Sequence, residues 1–139
     1  MSWLLPTLGY ILAVGALWVT GKLALRTLSW PDLVLWTGFG YIVVATVLLA
    51  LGRTEVRLGE GWGWAALSGA LAITGLVMLY LALGQGKAST VAAVTAAYPV
   101  VTLILAAAFL AEALTVGRAV GVGLVVVGVI VLTLSEGAQ

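Results

Sequence analysis

Long apolar runs recur from one end of the chain to the other, interrupted only by short clusters of charged and turn-forming residues. These interruptions predict five apolar segments, at about 4–25, 32–51, 62–83, 88–111 and 116–135. Each has the roughly 20 residues that an α-helix rising 1.5 Å per residue needs to cross about 30 Å of hydrocarbon. The interruptions carry helix-end chemistry. In Arg26-Thr27-Leu28-Ser29-Trp30-Pro31-Asp32, Ser29 is a candidate N-cap, Pro31 falls in the first turn and Asp32 lies three residues after the cap. The stretch from Gly52 to Gly61 is the most polar and the only connection long enough to be a true loop. Gly84-Gln85-Gly86-Lys87 ends one helix with glycine, and Ser89 or Thr90 is the candidate cap of the next, which predicts tight antiparallel neighbours. Thr115 is the candidate cap of the last segment, and a polar tail from Ser135 to Gln139 follows it.

Composition agrees with this pattern. Of 139 residues, 63% are hydrophobic and 8% are charged, with a mean hydropathy of +1.24, against roughly 25% charged in soluble domains. Lipid must therefore be the solvent for most of the surface. Five spans consume the chain, so a single all-α membrane domain over residues 1–139 is expected. The first segment reads as a span and not a removable leader, because no basic residue precedes it and no small-residue cleavage site follows. Trp3, Trp30, Trp62 and Trp64 fall near predicted helix ends, where an indole keeps its body in lipid and its N–H near water.

Cysteine and histidine are both missing, which excludes disulfides, thiolate chemistry, imidazole bases and the commonest zinc sites. No acid, base and nucleophile converge in any segment, so no catalytic residues, cofactor or metal are expected. A net charge of +1 without a basic cluster gives no field for nucleic acid. Five spans put the two termini on opposite sides. Arg53, Arg57 and Arg118 then fall on the N-terminal side, and Lys22, Arg26 and Lys87 fall opposite. Orientation follows the excess of Lys and Arg in short loops, and three against three leaves almost none. The count is that of a chain able to insert both ways round, or an accident of a short sequence.

From Leu79 onward, the run Ala82-Leu83-Gly84-Gln85-Gly86-Lys87-Ala88-Ser89-Thr90-Val91-Ala92-Ala93 and the run Tyr98-Pro99-Val100-Val101-Thr102 resemble the hairpin between the third and fourth helices and the proline-bearing fourth helix of the EamA family of the drug/metabolite transporter superfamily. Ala111-Glu112-Ala113-Leu114-Thr115 resembles its Gly-Glu-Arg-Leu-Thr turn, with alanine at two positions where the family usually has Gly and Arg. Trp18, Gly21-Lys22 and Arg26-Thr27-Leu28 agree more loosely in the N-terminal half. The resemblance implies half of a ten-helix inverted-repeat transporter of a prokaryotic plasma (inner) membrane. It would work as an antiparallel homodimer on a small amphipathic metabolite or drug, by alternating access. A membrane assembly or accessory subunit and a dual-topology channel are the alternatives. The small multidrug resistance proteins are also similar in being short and duplicated by dimerisation, but they carry a glutamate in their first helix, and the first segment here holds no acid.

Thr7, Tyr10, Val14, Trp18 and Lys22 share one face of the first helix at spacings of three and four. Thr95, Tyr98 and Thr102 form a similar stripe on the fourth, beside Pro99. Mixed aromatic and hydroxyl stripes suit a wet cavity for an amphipathic solute. They also suit helix packing, since a threonine hydroxyl can bond its own backbone at i−4. Tyr10, Trp18, Lys22, Thr95, Tyr98 and Thr102 are the candidate substrate-binding residues. Lys22, about 12 Å from the helix centre at 1.5 Å per residue, either snorkels to the interface or faces an aqueous cavity. Glu112 is expected to bond backbone N–H groups at the start of the last helix. Pro99 should kink or loosen the fourth helix near Thr95, as a hinge or as a static feature. Gly117, Gly121 and Gly128 lie on one face of the fifth helix and mark a close helix contact, within or between subunits.

Overall fold

The computed structural model describes residues 3–54 and 59–136. Arg57, counted in the orientation argument, and the last residues of the polar tail lie outside the described residues. The order is α1 (Leu4–Ala24), α2 (Trp30–Ala50), α3 (Trp62–Gln85), α4 (Ala88–Thr95), α5 (Tyr98–Phe109) and α6 (Val116–Glu136). With α4 and α5 taken together as Ala88–Phe109, five stretches among the described residues are long and apolar enough to cross a membrane. The five segments anticipated from the sequence are thus present, the fourth one broken.

The helix ends explain themselves locally. At the start of α2, the Asp32 carboxylate accepts from the Ser29 amide at 2.9 Å and from the Ser29 hydroxyl at 2.5 Å, which ties down the N-cap as expected. The C-terminus of α2 turns through Gly52, whose φ is +60°. The Gly52 amide donates to the Leu49 carbonyl and the Arg53 amide to the Leu48 carbonyl, both at 3.0 Å. This pair of bonds is the Schellman closure, and its left-handed residue favours glycine. The Thr115 hydroxyl accepts from the Arg118 amide at 3.3 Å and caps α6. One cap differs from expectation. Lys87, in extended backbone, is the N-cap of α4, so Ser89 and Thr90 fall inside its first turn.

Residues 1–85 and 86–139 form two separate compact units. In the first, α3 packs against both α1 and α2. Its buried residues are Gly21, Leu33, Tyr80 and Leu83, drawn from the end of α1, the start of α2 and the end of α3. A Cβ built at Gly21 would meet Leu83 Cδ1 at 3.5 Å and Tyr80 Cε1 at 3.7 Å, ordinary van der Waals distances, so the backbone of α1 there lies close to those side chains with room for a methyl group. In the second unit α4 packs against α6, and none of its described residues is fully buried. The half-buried residues of α6 are Val122, Val126 and Val129, at spacings of four and three on one face.

Candidate solute-binding site

In the first unit, polar side chains gather where the three helix ends meet. The Lys22 ammonium donates to the Leu83 carbonyl at 2.5 Å. Leu83 lies in the last turn of α3, where carbonyls lack an intrahelical partner and the helix dipole favours a cation. Capping a neighbouring helix is a role of Lys22 that neither snorkelling nor a free cavity anticipates. Between α2 and α3, the Thr37 hydroxyl lies 2.7 Å from the Tyr80 hydroxyl and donates to the Leu33 carbonyl at 2.9 Å. Because Thr37 has one hydroxyl proton and gives it to Leu33, Tyr80 is the donor to Thr37. Beside this pair, a cleft of about 310 Å³ is lined by Leu17, Thr20, Gly21, Trp36, Thr37 and Tyr80, among others. Its wall offers one indole, two threonine hydroxyls and a phenol. Sequence reasoning missed Thr37 and Tyr80, since neither falls on a polar stripe and only the pairing across helices reveals them.

The sequence-derived candidates divide between the two units. On α1, Tyr10 is exposed and Trp18 is half-buried. Trp3, Trp30, Trp62 and Trp64 are all exposed at helix ends, as lipid-interface anchors require. In the second unit, Thr95, Tyr98 and Pro99 bracket the break between α4 and α5. The Thr95 hydroxyl donates to the Val91 carbonyl at 2.5 Å and the Thr102 hydroxyl to the Tyr98 carbonyl at 3.3 Å, the back-bonded state weighed for them. Tyr98 opens α5 with its ring exposed.

The break itself is a tightened turn, not a kink in a continuous helix. Ala96 and Ala97 keep right-handed backbone with ψ of −6° and −9°. The Ala97 amide reaches the Val94 carbonyl, and the Val100 amide the Ala97 carbonyl, each at 3.1 Å. These are i→i−3 bonds of the 3₁₀ kind. Pro99 has no N–H to offer the Thr95 carbonyl and its ring crowds the preceding turn, which accounts for loosening where the sequence predicts it.

Two features of the second unit differ from expectation. Glu112 lies beyond the end of α5, and its carboxylate accepts from the Arg118 guanidinium at 2.8 Å, so it stabilises the turn through a side-chain ion pair and not through backbone N–H groups. Ala111 has a φ of +53°, a left-handed conformation that favours glycine. Gly117, Gly121 and Gly128 each face open space within the chain, with no atom within 4 Å of a built Cβ. Their stripe lies roughly a third of a turn around α6 from Val122, Val126 and Val129, at 3.6 residues per turn. Among the described residues no cluster of His, Cys, Asp or Glu could hold a metal ion.

A chain of five membrane-spanning stretches, one of them interrupted at a proline, is the architecture of a multi-pass membrane protein of the transporter kind. Residues 1–134 match the model of the EamA-like transporter family, and the chain belongs to that family, which is one of membrane transporters and not of enzymes. The chain is also 38% identical over 97 residues, 70% of its length and 71% of the relative's, to the uncharacterized protein MJ1333.1 of Methanocaldococcus jannaschii. No solved structure matches it.

Proposed function

We propose that this protein carries a small amphipathic metabolite or drug across a prokaryotic plasma membrane by alternating access, working as an antiparallel pair of identical five-span units. The observation that carries this reading is the interrupted fourth span. Discontinuous helices in transporters place backbone groups and a flexible joint at membrane depth, where the solute is held between two inverted repeats. A 3₁₀ turn in mid-span is such a joint. Thr95, Tyr98 and Thr102 stand at it. The balance of three cations on each side supports insertion in both orientations, which supplies the inverted partner. The glycine face of α6, open within the chain, is suited to close contact between the two copies. An archaeal relative supports the prokaryotic assignment.

Solute counterflow tests the reading. Purified protein in liposomes preloaded with an unlabelled solute, drawn in turn from a panel of amphipathic amines, acids and zwitterions, is diluted into a trace of the labelled solute. A carrier gives a transient accumulation of label above equilibrium for at least one solute. Equilibration without overshoot identifies a channel. No protein-dependent flux across the panel identifies an accessory subunit.

A further inference from the structure

All buried and half-buried residues of α1, α2 and α3 lie in one half of their unit. On α1 they begin at Val14, on α2 they stop at Gly38, and on α3 they begin at Leu76. The first half of α1, the second half of α2 and the first half of α3 are exposed throughout. Because consecutive spans alternate in direction, the end of α1, the start of α2 and the end of α3 meet at a single membrane face, and the exposed halves diverge toward the other. Building on the alternating-access reading, we propose that the packed end is a fixed fulcrum of this unit, held by Lys22 and Tyr80 as positioning residues, and that α1–α3 open and close at the opposite end.

Three observations support the fulcrum. First, two polar bonds join these helices there: Lys22 to the Leu83 carbonyl joins α1 to α3, and Tyr80 to Thr37 joins α2 to α3. Tyr80 is only 3% exposed, so water does not compete for its bond. The Lys22 bond is charge-assisted and satisfies a helix-end carbonyl close to the membrane, where an unsatisfied group is costly. Second, the backbone of α1 at Gly21 packs near Leu83 and Tyr80, whereas Gly9 and Gly15, toward the other end of the same helix, have no atom within 4 Å of a built Cβ. Third, the exposed halves of α2 and α3 flank an apolar groove of about 760 Å³, lined among others by Gly38, Phe39, Ile42, Gly69 and Ile73. Helices bonded at one end and lining only a groove at the other pivot about the bonded end.

The chain has no cysteine, so spin labels can be placed in pairs without altering a native thiol. One pair, Leu23→Cys with Ala82→Cys, spans α1 and α3 at the fulcrum, and a second, Leu8→Cys with Leu71→Cys, spans the same helices at the far end. All four positions are exposed. In liposomes, pulsed electron–electron distance measurements should give one narrow distribution for the first pair and a broad or two-peaked one for the second. Adding Lys22→Met and Tyr80→Phe should broaden the first to the width of the second. Tyr80→Phe alone, which keeps the ring in place, should give part of the effect, and Lys22→Arg should preserve the narrow distribution. Equal widths at the two ends, or a fulcrum distribution unmoved by the double substitution, would overturn the proposal. The distances are read without any solute, so their outcome is independent of whether counterflow is observed.

Discussion

The two units of this chain hold their polar groups in different ways. In α1–α3, Lys22 and Tyr80 bond across helices to Leu83 and Thr37, around a small buried cluster of Gly21, Leu33, Tyr80 and Leu83. In α4–α6, the bonds of Thr95 to Val91, Thr102 to Tyr98, Thr133 to Val129 and Arg118 to Glu112 are local, none more than six residues apart. In lipid, water does not drive helices together, so contacts depend on close packing and on polar bonds with no better partner. The first unit therefore carries its own fixed point. The second carries a joint at Ala96 and Ala97, whose amides bond within their own turn while Pro99 leaves the Thr95 carbonyl without its usual i+4 donor.

That difference can be broken most sharply at glycine. Gly21→Leu must force an isobutyl group into Leu83 and Tyr80, and overpacking of this kind costs about 1–3 kcal/mol. It should lower the melting temperature in detergent, while Gly121→Leu with Gly128→Leu should leave the melting of the single unit unchanged and reduce dimer recovery. Equal melting losses for both sets would erase the contrast. Next in size, Lys22→Met strands the Leu83 carbonyl and should cost about 1–2 kcal/mol, whereas Thr102→Val in the second unit should change stability little. At Ala111 the effect should have the opposite sign. A left-handed alanine is strained by about 1–2 kcal/mol, partly offset by the greater chain entropy of glycine, so Ala111→Gly should stabilise by about 0.5–1 kcal/mol and raise the melting temperature.

Smaller still is Tyr80→Phe, where hydrogen bonds between membrane helices average about 0.6 kcal/mol. A double-mutant cycle with Thr37→Val should return a coupling of that order, and a coupling of zero would remove this bond from the fulcrum. The least effect should come from Glu112→Gln. Its ion pair with Arg118 is about half exposed on both sides, at 49% and 52%, and exposed pairs contribute roughly 0–1 kcal/mol. Salt should weaken it further.

Much of this architecture was legible in the sequence because membranes impose few solutions. Apolar length sets the spans, and Ser29 with Asp32 and Thr115 set helix starts by local chemistry. Pro99 announced the break in the fourth span for the same reason, since its missing N–H is a covalent fact. What could not be read were pairings between distant residues. Tyr80 and Thr37 sit 43 positions apart and look like ordinary helix residues until α2 and α3 are laid side by side. The glycines show the same limit. Spacing singled out Gly117, Gly121 and Gly128, while the glycine packed under its neighbours within the chain is Gly21, which belongs to no such pattern. Ala111 is the reverse case. The resemblance placed it where glycine is usual, and its φ of +53° supplies the physical reason.

The proposed function requires a five-span unit that acts with an oppositely oriented copy of itself. Reporters active on only one side of the membrane, a fluorescent one and an enzymatic one, fused in separate experiments to the C-terminal end of α6, test this most directly when combined with crosslinking between differently tagged copies. A dual-topology pair should give signal from both reporters in comparable amounts, crosslinked pairs of opposite orientation, and a shift to the cytoplasmic side alone when three lysines are added after Ser135. Signal from one reporter only in the unmodified protein, or crosslinks confined to copies of the same orientation, would contradict it.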